Sequence, residues 1–261
     1  MQIFKFHFIE KESDITVISE SVSAILRAKR EFYHQRRLLE GYISHHKEFL
    51  TSFVPIKVKT EYEIIELMTH AAFLCDVGPM ATIAGALADL MVTTMKSYST
   101  EFEVAKIALV ENGGEIANNS EKTIKIALFA GNNKLNINLG FLIKKKDSPI
   151  GIATSSATIG HAVSLGEADA VTTFANNATI ADGAATKICN LVRGTDIESS
   201  IKKGLDAVDD LDEVRGAFIS RQNKIGITGR IPEMFKIEAD KEQKLKNKIE
   251  YCFPEDFEIF K

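Results

Sequence analysis

A chain of 261 residues with 45% hydrophobic and 26% charged side chains can bury a substantial core and lies outside the composition of disordered proteins. Its formal net charge of -4 leaves no overall electrostatic footprint for nucleic acid or for an anionic membrane surface, so neither is an expected partner. Cys75, Cys189 and Cys252 form no CxxC pair and are odd in number, which argues against a disulfide framework or a zinc site and for reduced thiols in a cytoplasm.

The opening MQIFKFHFIEKESD has no long apolar stretch and no small-residue cleavage site, and no run of about 18 apolar residues follows, so a soluble, unexported chain is expected. Residues 2–9 and 14–18 are β-branched or aromatic runs around a polar stretch and predict a hairpin. Val22, Ile25, Leu26, Phe32, Tyr33 and Leu39 then recur at helical spacing, predicting an amphipathic helix over 21–40 that ends near Gly41 and carries a basic face. The adjacent His45 and His46, without carboxylate or cysteine companions at ligand spacing, read as solvated surface.

Thr60 and Glu63 have the spacing of a capping box and predict a second helix, which Gly78-Pro79 breaks. Residues 80–95 are the most apolar segment, contain Asp89 and read as a buried helix. Its small residues Ala81, Ala84, Gly85, Ala86 and Ala88 allow close packing, inside the chain or against a second copy, so a homodimer is one expectation.

From residue 104 the pattern turns to strands, over 104–110, around Ile116, and over 123–129, 135–143, 150–154 and 170–174. Helices are expected over 179–192 and 198–208, and a closing hairpin over 214–219 and 224–227. Residues 1–238 read as one domain, or two fused subdomains, and 239–261 as a charged peripheral tail. No repeat is evident in the sequence, and neither GxGxxG nor GxxxxGK[ST] occurs. The order of elements predicts an α+β fold, a largely antiparallel sheet packed with helices.

Three segments have the residues for chemistry. Gly113 and Gly114, between Glu111-Asn112 and Glu115, read either as a type I′ hairpin turn at Asn112-Gly113 or as a loop whose N–H groups approach a phosphate, with acids near a metal or ribose. Residues 151–161 bring Thr154, Ser155, Ser156 and Thr158 together with His161. Hydroxyls and amides there suit phosphate oxygens, or equally a capped turn, and His161 suits a general base, a metal ligand or a structural residue. Asp182 and Thr186 are four apart, hence on one face of a helix, where a carboxylate and a hydroxyl serve one side of a Mg2+ site. The alternative is a carboxylate favoured by its own helix dipole beside a surface threonine.

Taken in order, ALVENGGEIA, GIATSSATIGHAVSLGEADAVTTFA and ATIADGAATKICN resemble the core of ApbE-like proteins, relatives of the FAD:protein FMN transferases. DVGPMATIAGALADL resembles the segment before that family's sheet. The resemblance spans residues 75–192, and the N-terminal hairpin and long helix are similar to the family's compact UPF-type branch. It implies a T-fold-like duplicated architecture, FAD or another phosphorylated ligand, Mg2+ at the pyrophosphate, and an acceptor protein whose threonine or serine receives FMN. Residue by residue it implies metal ligands at Asp182 and Thr186 and a flavin-site loop at Gly113 and Gly114, with Glu115 where aspartate is frequent. It also implies a Thr-Ser segment at Thr154 and Ser155 and the catalytic histidine at His161.

The resemblance has departures. Ala162-Val163-Ser164-Leu165-Gly166 follows His161 where the transferases carry Asp-Pro and Thr-Gly, and Gly183 replaces an alanine of the Ala-Asp motif. Three functions therefore stay open: Mg2+-dependent transfer of FMN from FAD, a role in sulfide assimilation and homocysteine formation, with which the branch is associated, and flavin or nucleotide binding without turnover. Thr154, Ser155 and His161 are expected to share a pocket with Gly113 and Gly114, and Asp182 and Thr186 to face it.

Overall fold

The structure is a computed structural model and describes residues 2–98, 100, 103–128, 139–157 and 166–237. His161, the first part of the strand expected over 135–143 and the C-terminal tail lie outside the described residues.

Strand β1 (Phe4–Glu10) alternates Phe4, Phe6 and Phe8 with polar residues and pairs antiparallel with β2 (Ser13–Ser19). The Ser21 hydroxyl accepts the Ala24 N–H and starts α1 (Val22–His45). This helix runs through Gly41 rather than stopping there. A glycine costs only about 1 kcal/mol in a helix interior, and the buried stripe Ala24, Ala28, Phe32 and Leu39 holds the helix on the core. A short α2 (Lys47–Thr51) follows.

Helix α3 (Glu63–Cys75) begins later than the expected capping box. Tyr62 is its N-cap, and the Thr60 hydroxyl accepts the Tyr62 N–H instead of an N–H inside the helix. After a 3-10 turn at Pro79–Thr82 comes α4 (Ile83–Lys96).

The remaining elements are β3 (Leu109–Asn112), β4 (Glu115–Asn118), β5 (Ile124–Ala127), β6 (Leu139–Ile143), β7 (Ile150–Ser155), β8 (Ala170–Ala175), α5 (Ala178–Leu191), α6 (Ile197–Asp206), β9 (Val214–Arg221), β10 (Lys224–Gly229) and β11 (Glu233–Lys236). The strand expected from residue 104 starts only at Leu109. Before it the chain makes single bonds, such as Ala105 N–H to Met95 O and Glu121 N–H to Lys106 O, rather than a ladder.

One eight-stranded sheet has the order β1-β2-β3-β4-β7-β8-β9-β10, and a three-stranded sheet the order β11-β6-β5. Every pair among the described residues is antiparallel. The α+β class is therefore the observed one, and the sequence of strand pair, helices, strand pair occurs twice, with the two halves adjacent in the large sheet.

The pleat gives the sheet two apolar faces. Val17, Val110, Ala117, Ala153 and Ala217 pack under the helices. Ile18, Leu109, Ile116, Ile152, Phe174 and Phe218 pack against Ile126, Phe141 and Ile143 of the small sheet. The small-residue run of α4 is used inside the chain: a Cβ at Gly85 would lie 2.3 Å from Ala178 O, so α4 and α5 meet backbone to backbone. Among the described residues no single helix is long and apolar enough to cross a membrane.

Candidate functional site

Asn112 pairs with Glu115, so Gly113 and Gly114 are the two turn residues of the β3–β4 hairpin. Their φ values of 71° and 125° fit a type I′ turn, which only glycine adopts without strain at both positions. The turn thus sits one residue later than Asn112-Gly113 suggested.

Both glycine amides are already engaged. Gly113 N–H donates to Asp14 O at 2.9 Å, and Gly114 N–H donates to the Glu111 carboxylate. The expected cradle of free N–H groups is therefore not what this loop provides. It offers bare backbone instead, with Gly113 exposed at the tip.

The start of α5 shows what the carboxylates around it do. Asn177 is the N-cap and accepts the Ile180 N–H. Asp89, from α4, accepts the Ala178 and Thr179 N–H groups at 2.9 and 2.8 Å and the Thr179 hydroxyl at 2.6 Å. In return Asp182, from α5, accepts the Gly85 N–H at 3.0 Å and that of Ala84, the unpaired donors at the start of α4. Each helix supplies the carboxylate that caps the other. Asp182 is not an acid at the start of its own helix, and its side chain is fixed by α4. Thr186, one turn on, is half-buried.

Two contacts set α5 on the sheet. A Cβ on Gly151 would lie 1.9 Å from the Asn177 carbonyl carbon, so only glycine lets the helix start so close to β7. The Thr173 hydroxyl donates to Ala181 O at 2.7 Å, which anchors the turn carrying Asp182.

Strand β4 pairs antiparallel with β7 from Ile116–Ile152 to Asn118–Ile150. The end of β7, with its hydroxyls, and the glycine turn that precedes β4 therefore lie toward the same end of this strand pair. The pleat nevertheless divides Thr154 from Ser155. Thr154 shares the Ile152 face, and its hydroxyl lies 2.9 Å from that of Thr172, whereas Ser155 shares the Ala153 face with the helices. Glu115 has the parity of Ala117 and so faces α5 and Asp182. Ser156 follows the strand, half-buried.

Burial is the first cause that raises the proton affinity of Glu115, followed by the charges of Asp182 and Glu111. Burial also raises Asp182, against the Gly85 and Ala84 N–H groups, with Asp89 adding to the rise. Glu111, 4% exposed, is pushed up to about 8 by burial first and then by Asp14, against Lys5, the Gly114 N–H and the Thr16 hydroxyl. Sequence reasoning weighed Glu111 only as part of the turn and passed over Asp89, although a single acid in an otherwise apolar helix was a signal for it. The neighbouring Cys75 thiol is pushed up to about 12 by burial and by Asp182, which leaves it unreactive.

A cavity of about 450 Å³ lies between Leu67, Asp89, Lys96, Asn118 and Asn177, and one of about 300 Å³ beside Thr60, Thr69 and His70. Neither is lined by Gly113, Thr154, Asp182 or Thr186. Among the described residues no group of three His, Cys, Asp or Glu side chains is placed to hold a metal ion by itself.

The model of the AbpE bacteria family matches residues 2–215. A UPF0280 protein of Methanocaldococcus jannaschii is 40% identical over 236 residues, covering 89% of this chain and 93% of the relative. Another, from Methanococcus maripaludis, is 37% identical over 253 residues, covering 96% and 99%. Among solved structures, the flavin transferase ApbE from Vibrio cholerae superposes with a TM-score of 0.57 at 11% identity, over 89% of this chain and 97% of that one. The apo flavinyl transferase ApbE of Pseudomonas stutzeri gives 0.54 at 14% identity, over 87% and 94%. At such identities the likeness is one of fold. The chain belongs to the AbpE bacteria family, in its UPF0280 branch, and has the fold of the ApbE flavin transferases.

Proposed function

We propose that the chain binds FAD or another phosphorylated ligand with Mg2+ where the β3–β4 turn, the end of β7 and α5 meet, and that it transfers FMN from FAD to a hydroxyl of an acceptor protein. The observation that carries this reading is the approach of Glu115 on β4 to Asp182 on α5, two acids each raised by burial, for which a cation supplies the countercharge.

The residues fit Mg2+ in particular. A carboxylate has about four lone-pair sites, and the two α4 amides leave some on Asp182 for a cation. Asp182 and the Thr186 hydroxyl would hold the cation from one side and leave its remaining ligands to water and phosphate, as suits Mg2+. A cation held there would supply positive charge to a pyrophosphate. Ser155 and Ser156 hold phosphate oxygens, Thr154 is tied back by Thr172 and keeps the end of β7 in place, and the bare backbone at Gly113 admits a flat ring. His161 takes the proton of the acceptor hydroxyl as general base.

Asp182→Asn is the informative change, since its amide oxygen keeps one acceptor for the α4 amides while the charge is lost. Calorimetry with FAD, with and without Mg2+, should show the metal-dependent part of binding reduced at least about tenfold in Asp182→Asn, and several-fold less in Thr186→Val. Equal metal dependence in wild type and Asp182→Asn would remove Asp182 from the site. Transfer itself is read by AMP release and by flavin fluorescence on an acceptor protein in a denaturing gel.

A second reading is binding without turnover, favoured by the Ala162-Val163-Ser164-Leu165-Gly166 segment that replaces the Asp-Pro and Thr-Gly elements. Tight FAD binding with no AMP under any acceptor selects it. Absence of FAD binding refutes FMN transfer, and absence of binding to FAD and to other phosphorylated ligands alike refutes both readings.

A further inference from the structure

The outward face of α1 carries Leu26, Arg30, His34, Arg37 and Gly41, all exposed and three or four residues apart, so they form one row along the helix. Val22, 50% exposed like Leu26, extends the row at its N-terminal end. The cations beside the row are occupied: Arg27 donates to Ser97 O, Lys29 lies over the rings of Phe6 and Phe8, and Arg36 holds Glu12 and Glu40. Arg30, His34 and Arg37 have no hydrogen bond or ion pair among the described residues. In a chain of net charge -4 this cationic row is not a by-product of general basicity.

Gly41 adds an independent observation. Glycine is the weakest helix former after proline, yet it sits inside α1 where a Cβ would meet no atom within 4 Å. Nothing among the described residues requires it. Bare helix backbone at a surface is what close approach from outside requires.

We propose that this face docks an acidic helical segment of a partner protein. Its carboxylates pair with Arg30, His34 and Arg37, its apolar side chains rest on Val22 and Leu26, and its backbone crosses α1 at Gly41. A second copy presenting the same row would set like charges opposite each other. The aliphatic end of the row and the bare glycine match a helix better than a phosphate backbone. The inference is independent of the flavin site.

The test uses the full chain and a fluorescein-labelled amphipathic helical peptide with glutamate on one face and leucines at one end, followed by anisotropy. Wild type should bind it, more weakly as salt rises from 0.05 to 0.5 M. Arg30→Glu with Arg37→Glu should lower the affinity at least about tenfold. Gly41→Leu should raise the thermal midpoint, as a better helix former on an exposed face, while weakening the peptide at least about fivefold. Gain of stability with loss of binding separates docking from a folding role. The proposal is overturned if wild type does not bind the peptide at 0.1 mM, or if both variants bind it unchanged. Equal or tighter binding of a polyuridine oligonucleotide overturns it in favour of RNA. A wild-type dimer that the charge reversals dissociate overturns it in favour of self-association. Binding seen only after removal of residues 238–261 overturns it in favour of the chain's own tail.

Discussion

Asp89→Ala is expected to lower the free energy of unfolding by about 3 kcal/mol, from the loss of charge-assisted bonds to a buried helix start. The carboxylate holds the first two amides of α5 and the Thr179 hydroxyl, while the third amide goes to Asn177. Alanine leaves the Ala178 and Thr179 N–H groups without a protein acceptor, and water from the cavity of about 450 Å³ that Asp89 lines recovers only part of the three lost bonds. Asp89→Asn keeps one acceptor oxygen and should lose about half as much. For a chain of this size the alanine variant corresponds to a fall of roughly 6–12 °C in thermal midpoint. Urea denaturation decides it, and a loss below about 0.5 kcal/mol would mean that the Asp89 bonds contribute nothing net.

The same pair of helices revises what Asp182 can be used for in a test. An acid expected to face a pocket also caps α4. Asp182→Ala should therefore destabilise the protein as well as affect any metal, which is why asparagine is the sharper probe. No local pattern around Asp182 reveals this, because the Asp182–Gly85 bond joins positions far apart in the chain.

What could be read from the sequence was what short-range physics determines. The alternation of Phe4, Phe6 and Phe8 gave the first hairpin, Ser21 the start of α1, Gly78-Pro79 the break before α4, and Asn112-Gly113 a tight turn, one residue early. Errors arose where tertiary contacts outweighed local preference. Gly41 did not end α1, because the helix is held along its buried stripe. The Thr60 capping box did not form, because Tyr62 took the N-cap. β-branched residues before Leu109 have no partner strand among the described residues, and β11, only four residues long, was missed. The doubling of strand pair, helices and strand pair is a property of topology that no sequence repeat records. At the site, the pleat that turns Thr154 and Ser155 to opposite faces became visible only with the register.

Glu111→Gln should change how stability depends on pH. The folded carboxyl is raised to about 8 from an ordinary 4.5, so between those values the native state binds more protons than the unfolded chain. Stability then falls as pH rises: the Glu111 contribution is complete below about 4.5 and is lost as pH passes through about 8. At about 1.4 kcal/mol per unit, this amounts to on the order of 5 kcal/mol as a ceiling. Glutamine has the same shape, carries no charge, and keeps an oxygen for the Gly114 N–H and the Thr16 hydroxyl. The variant should match wild type near pH 5 and exceed it by a few kcal/mol near pH 9. Of the charged neighbours, Asp14 raises Glu111 and Lys5 lowers it, so Asp14→Asn should shift the window to lower pH. Urea midpoints at pH 5, 7 and 9 give the answer, and parallel profiles for wild type and Glu111→Gln would show that Glu111 is not the titrating group. The same proton bears on the proposed site. Its loss places a negative charge directly behind the Gly113-Gly114 turn, where Gly114 N–H already points inward to Glu111, so a phosphorylated ligand at the turn should bind more weakly above pH 8 in wild type than in Glu111→Gln.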